Sequence, residues 1–144
     1  MKPPRFAYFA PSTQTESLDL LASHGYDAKP LAGGQSLVPA LNFRLARPAV
    51  LVDLNRIPGL DFIREDAGEL AIGALVRQTD AERSPLLAER CPILTEAIAH
   101  IGHRTIRNRG TVGGSLAHAD PAAELPLVAV ALDARVRIAS AVVR

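Results

Sequence analysis

Hydrophobic and polar positions along the chain divide it into two stretches of different character. In the first, Thr13 and Glu16 form a capping box, Leu18, Leu21 and Ala22 fall on one helical face, and Gly25 supplies a left-handed stop. A short strand over 27–31 leads into Gly33-Gly34. Ser36 then stands where a helix cap belongs, predicting a second helix to about Arg44 with Pro39 tolerated in its first turn. Residues 49–54, Ala-Val-Leu-Val-Asp-Leu, are apolar on both faces and predict a strand at the centre of a sheet. Together these elements make a β-α-β unit.

From Pro58 the pattern changes. Residues 60–64 and 69–76 read as strands, and Asp66-Ala67-Gly68 between them has the chemistry of a hairpin turn. Thr79 and Glu82 form a second capping box ahead of a helical region broken at Pro92 and ending near Gly102. An arginine-rich loop, 104–110, follows. Asp120 and Pro121 read as a cap and a first-turn proline, starting a helix that runs to about Leu132. Residues 136–139 alternate as a final strand that lacks a partner.

Composition narrows the function. With 144 residues, 48% of them apolar, the chain is expected to form one compact domain or two small lobes sharing a core. Sixteen basic and 15 acidic residues are spread along it, so no charge footprint for nucleic acid or an anionic membrane is written here. Its longest strongly apolar stretch, 125–132, contains Pro126 and falls far short of the roughly 20 residues of a membrane span. The first 14 residues hold no apolar leader, so the expected location is the cytoplasm. A single cysteine, Cys91, excludes an internal disulfide, a four-cysteine zinc site and a self-contained iron–sulfur cluster. It falls at helical spacing with Leu87, Leu94, Ile98 and Ile101 and reads as a small buried core side chain. His100 and His103 are interrupted by Gly102 and have no third ligand nearby, so no metal site is expected. Redox chemistry, if present, must use a borrowed cofactor.

Two glycine pairs stand at comparable points of the two stretches: Leu31-Ala-Gly-Gly-Gln-Ser-Leu37 and Thr111-Val-Gly-Gly-Ser-Leu116. With no side chains at Gly33, Gly34, Gly113 and Gly114, consecutive amides can converge on phosphate oxygens, and the dipole of a helix beginning near Ser36 adds partial positive charge. Neither a G-x-G-x-x-G dinucleotide fingerprint nor a G-K-[ST] phosphate loop occurs, so any anion site is of another kind.

These residues resemble the FAD-binding medium subunit of molybdenum hydroxylases, the group containing carbon monoxide dehydrogenase and xanthine dehydrogenase. The resemblance covers essentially the whole chain. It rests on Lys29-Pro-Leu-Ala-Gly-Gly-Gln-Ser-Leu-Val-Pro39, on Leu51-Val-Asp-Leu54, and on the long run from Ile106 through Arg-Asn-Arg-Gly-Thr-Val-Gly-Gly-Ser-Leu-Ala-His-Ala-Asp-Pro-Ala-Ala-Glu-Leu to Pro126. It implies an α/β (α+β) two-lobed flavin-binding fold of the vanillyl-alcohol-oxidase/PCMH type. A small β-α-β lobe would occupy residues 1–57 and a larger mixed lobe 58–144, with that lobe cut short, the family's C-terminal domain absent, and FAD between the lobes.

Carried over by the resemblance, Ala32, Gly33, Gly34, Gln35, Ser36 and Leu37 on one side and Thr111, Val112, Gly113, Gly114 and Ser115 on the other would wrap the diphosphate and ribityl chain. Asp120 and Glu124 would lie near the ribityl hydroxyls or the second loop, and His118 would be a ligand contact beside it. The chain has Ser115 where family members often have asparagine, and Glu124 where they often have aspartate. Both replacements keep an acceptor oxygen. Among the arginines, Arg104, Arg107 and Arg109 read as solvated or subunit-facing, with one available to offset phosphate charge.

The implied function is electron relay in an oxidoreductase complex. A molybdenum-cofactor large subunit and a two-cluster iron–sulfur small subunit would be partners, and NAD, a quinone or oxygen the acceptor; no residue of this chain is assigned a catalytic role. Two other readings stand beside it: a stand-alone flavoprotein reductase of the same fold, such as a relative of the enzyme acting on UDP-enolpyruvyl-glucosamine, and a structural remnant without flavin activity.

Overall fold

The computed structural model describes residues 1–141. Residues 142–144, the end of the second predicted lobe, lie outside the described residues. The chain divides into two compact units, one comprising Met1–Pro58 with the described residues from Arg137 onward, the other Gly59–Val136.

The first unit is built on a parallel sheet of order β1-β3-β2, from β1 (Ala7–Phe9), β2 (Ala28–Leu31) and β3 (Val50–Asp53). β3 is central, as its apolar run predicts, and Val50, Leu51 and Val52 are all buried. β1 was not anticipated from sequence. Three residues are too few to show a period, and β1 exists because β3 offers a ladder to pair with, Ala7 opposite Val50 and Phe9 opposite Val52.

α1 (Gln14–His24) joins the outer strands and starts as expected, with the Glu16 amide donating to Thr13 Oγ1 at 3.2 Å. The Glu16 carboxylate reaches back to the Ser12 amide, one residue earlier than the motif implies. Its inward face is Ser17, Leu20 and Leu21; of the predicted face Leu21 packs inward, Leu18 is half-buried, and Ala22 is exposed. Ser17 can be buried because its hydroxyl donates to the Gln14 carbonyl at 2.8 Å, so the helix needs no outside partner for it. Gly25 closes the helix at φ +50°.

In the second unit, β4 (Ile63–Asp66) and β5 (Glu69–Ile72) form the predicted antiparallel hairpin, Asp66 opposite Glu69. Ala67 and Gly68 both have positive φ, +49° and +83°, the requirement of the tight turn that follows strand twist. Beyond the strands proper, Gly73 donates to the Phe62 carbonyl and Leu75 to that of Leu60, so pairing extends over much of the predicted 60–76 span. Six short helices follow: α3 (Gln78–Glu82), α4 (Pro85–Arg90), α5 (Pro92–His100), α6 (Arg104–Arg107), α7 (Val112–His118) and α8 (Glu124–Ala131). Leu87 and Ile98 are fully buried in their common core, with Val76, Ala81, Leu125 and Val128.

Four expectations change here. Thr79 does not cap α3: Arg77 pairs with Thr111 and the Gln78 amide donates to the Gly110 carbonyl, so the chain stays extended through Arg77 and Thr79 falls inside the helix. The predicted loop 104–110 opens with α6, and its Arg107 is not solvated: it forms an ion pair with Glu82 at 2.9 Å and donates to the carbonyls of Ile101 and Gly102. α8 begins at Glu124 rather than at Asp120-Pro121, because Asp120 Oδ1 accepts from the Ala122 amide in a local turn that holds the chain out of the helix. Residues 136–139 form no strand, since no partner strand pairs with them among the described residues.

Candidate functional site

The first glycine motif is a bent segment between β2 and α2 (Leu37–Asn42). Gly34 sits at φ +74°, a conformation other residues adopt only with strain, and its carbonyl accepts from Val38 as α2 begins. Ser36 occupies the capping position without capping. Its backbone is already helical, φ −99° and ψ −42°, so the hydroxyl does not reach the next turn's amides, and the predicted cap is absent. As a result, the amides of Gly34, Gln35 and Ser36 donate to no group among the described residues. Unpaired amides in succession beside a bend are an acceptor-seeking surface. The Gln35 side chain folds back, Nε2 donating to the Gly33 carbonyl at 3.3 Å.

This bend is held from β3. Asn55, in the turn after β3, donates from Nδ2 to the Ala32 carbonyl at 2.9 Å and also to Asp53 Oδ1, while its backbone amide donates to the same Asp53 oxygen at 2.9 Å. On the other carboxylate oxygen, Asp53 accepts the hydroxyl of Tyr8 from β1. That bond, with burial and the Asp53 charge, raises the Tyr8 phenol above its ordinary value. Burial pushes the Asp53 carboxyl up, but the bonds from Tyr8 and Asn55 and the charge of Arg56 outweigh it and hold the carboxyl below its ordinary value. Neither Tyr8 nor Asn55 was singled out from sequence; the signal available was a run of polar groups at the C-terminal end of a central strand.

The second glycine motif is no loop: Val112, Gly113, Gly114 and Ser115 are the first turn of α7. Thr111, 2% exposed, caps it, accepting the Gly114 amide on Oγ1 at 3.1 Å. Val112 donates to the Val76 carbonyl, Gly113 to that of Ala74 and Ser115 to that of Thr111. Every amide from Val112 to Ser115 is therefore engaged within the chain. Gly113 is needed for contact: a Cβ there would lie 2.6 Å from the Ala74 Cβ and 2.7 Å from its Cα and carbonyl oxygen. His118 ends α7 and is exposed, Asp120 closes the local turn that follows, and Glu124 opens α8.

The second unit also holds a groove of about 480 Å³ that reaches the second motif at Val112 and Leu116 and is lined besides by Leu70, Ile72, Cys91 and Leu125, with Arg90 and Arg135 among its charged residues. Cys91 is half-buried at its edge rather than enclosed in the core, because it sits at the break between α4 and α5. Among the described residues, no three His, Cys, Asp or Glu side chains gather as metal ligands, and no helix is long and apolar enough to cross a membrane.

Comparison with known proteins places this geometry in a lineage. Residues 4–143 match the family described as the FAD binding domain in molybdopterin dehydrogenase. Among similar proteins, the 6-hydroxypseudooxynicotine dehydrogenase complex subunit alpha of Paenarthrobacter nicotinovorans is 57% identical over 136 residues, covering 94% of this chain and 46% of that protein. The carbon monoxide dehydrogenase medium chain of Hydrogenophaga pseudoflava is 45% identical over 134 residues, covering 93% and 47%. A solved structure of that carbon monoxide dehydrogenase, lacking the Mo-pyranopterin moiety of its cofactor, superposes with a TM-score of 0.89 at 46% identity over 91% of this chain and 46% of that one. Quinoline 2-oxidoreductase from Pseudomonas putida 86 gives a TM-score of 0.85 at 47% identity, covering 89% and 45%. The chain thus spans just under half the length of these relatives. On a match that runs nearly end to end, the chain belongs to the family of FAD-binding domains of molybdopterin dehydrogenases.

Proposed function

We propose that the chain is the flavin-holding part of an electron-transfer subunit in a molybdenum hydroxylase complex. The observation that carries this reading is the run of amides at Gly34, Gln35 and Ser36 that donate to no group among the described residues, at a positive-φ glycine, in a chain of an FAD-binding family. A diphosphate is the part of FAD that such a surface suits, because each oxygen accepts several N–H bonds and the start of α2 adds a favourable dipole. Within residues 1–57, Ala32 to Leu37 would hold that group. Within residues 58–144, Thr111 to Ser115 would contribute differently, through close backbone approach at Gly114 and the Ser115 hydroxyl, since the amides of Val112 to Ser115 are engaged. His118, Asp120 and Glu124 are assigned to the polar surroundings of the ribityl chain.

When bound, FAD supplies redox chemistry that protein side chains lack, taking up electrons and releasing them to an acceptor. The chain's own residues do the holding and orienting. In the full assembly, the partners would be a molybdenum-cofactor large subunit and a two-cluster iron–sulfur small subunit, with NAD, a quinone or oxygen as terminal acceptor. Support for this comes from relatives named as a dehydrogenase complex subunit and as a carbon monoxide dehydrogenase medium chain. Titration of the purified chain with FAD, followed by quenching of flavin fluorescence, tests the reading. Saturable binding by wild type and its loss in Gly34→Val is the expected result. Absence of binding by wild type, or unchanged affinity in Gly34→Val, would count against it.

A further inference from the structure

We propose that Asn55, locked by Asp53 and Tyr8, is a positioning residue that holds the first glycine motif in its flavin-competent bend. The inference rests on the assignment of that motif to the FAD diphosphate. Its geometry is a chain of hydrogen bonds running across all three strands of the first sheet. Tyr8 on β1 donates to Asp53 at the end of β3; Asp53 takes both the backbone and side-chain amide of Asn55; Asn55 Nδ2 donates to the Ala32 carbonyl just past β2. Ala32 immediately precedes Gly33, so fixing its carbonyl fixes the Ala32–Gly33 peptide plane, the one that leads into the glycine pair one residue before the bend at Gly34.

The segment needs an outside hold because it makes few bonds of its own. Among the described residues, its amides at Gly34, Gln35 and Ser36 donate to no group and Ser36 makes no cap, so the Gly34 carbonyl, the Ser36 carbonyl and the Gln35 side chain are what ties it locally. A segment of that kind has several accessible backbone states, and a ligand binding only one of them loses affinity in proportion to its population. Asn55 suits the task because its carboxamide can donate to two acceptors at once, one on each side of the strand end. Aspartate there would place a second carboxylate against Asp53 and donate to neither. Tyr8 and Asp53 act one step further away, orienting the carboxamide.

The test compares FAD with riboflavin, which lacks the diphosphate, in the full chain. Asn55→Leu and the near-isosteric Asn55→Asp remove the donors. Each is expected to weaken FAD by about tenfold, the worth of one or two hydrogen bonds, and to leave the riboflavin affinity and the far-ultraviolet circular dichroism of the free protein unchanged. Tyr8→Phe should weaken FAD by about threefold or less, since it acts through Asp53. Equal losses of FAD and riboflavin affinity, or no loss of FAD affinity in a folded Asn55→Asp protein, would overturn the proposal. Gly34→Val separates this failure from failure of the assignment beneath it. If Gly34→Val abolishes FAD binding while Asn55→Asp binds like wild type, the motif holds the flavin without help from Asn55; if both bind like wild type, the motif itself has been misassigned.

Discussion

The two glycine motifs share letters and differ in physics. Gly33-Gly34-Gln-Ser leads into α2 with the amides of Gly34 to Ser36 donating to no group among the described residues and a glycine at φ +74°; Gly113-Gly114-Ser is the opening turn of α7, every amide engaged, with a glycine demanded by the approach of Ala74. In the first, the glycine serves conformation, and in the second it serves space. A pair of glycines before serine therefore signals close approach of backbone to something, and only the fold tells whether that something is a ligand or the chain itself.

Substituting the space-limited glycine should have the largest effect. Gly113→Ala puts a methyl group against backbone that has little freedom to yield, and a loss of about 3 kcal/mol in unfolding free energy by urea denaturation is expected. Gly34→Ala is the contrasting case. Its Cβ would meet side chains and no backbone, the end of Leu31 and a methyl of Val38, each at 3.1 Å, so the cost is mainly that of a positive φ, about 1 kcal/mol. FAD affinity should fall further than stability there. If Gly113→Ala is neutral and Gly34→Ala strongly unfolds the chain, the assignment of the two roles is reversed.

Next in size is the cap of the second motif. Thr111→Val keeps the shape of a buried residue and strands the Gly114 amide, which should lower stability by about 1–2 kcal/mol in the same denaturation experiment. Ser36→Ala, by contrast, removes a hydroxyl that makes no cap and should leave stability unchanged.

The smallest effect concerns pH. Asp53 is held below its ordinary value, so its contribution is present above the usual carboxylate range and fades as pH falls through the depressed value in the folded chain. Tyr8 is held above its ordinary value, so its contribution is complete below the usual phenol range and is lost as pH rises through the raised value. Between those limits Tyr8→Phe should lower the melting temperature slightly, and the difference from wild type should shrink at both extremes. A difference that persists unchanged in acid, with Asp53 protonated, would show that the hydroxyl acts elsewhere.

What was legible in the sequence follows from how local its cause is. The hairpin around Ala67-Gly68, the start of α1 at Thr13 and the central strand β3 are set by neighbours in sequence or by an unbroken apolar run, and all were readable. The caps at Ser36 and Thr79 were misread because capping depends on backbone angles imposed from elsewhere, at Thr79 by pairing between Arg77 and Thr111. Strand β1 and the bonds from Tyr8 to Asp53 and from Asn55 to Ala32 escaped for a similar reason: each joins residues more than 20 positions apart, and only the Asp53–Asn55 link is local. The residues proposed to hold the flavin in the first motif are marked in the sequence by glycine, whereas the side chains proposed to position them lie in β1 and the turn after β3.

Hydrogen exchange at individual backbone amides, measured by NMR with and without FAD, tests the contrast most directly. The amides of Gly34, Gln35 and Ser36 should exchange rapidly in the free chain and become protected when FAD is added, while those of Gly113 and Gly114 should be protected already and change little. Protection of Gly34 to Ser36 before FAD is added, or protection arising only at Gly113 and Gly114 on binding, would contradict the account.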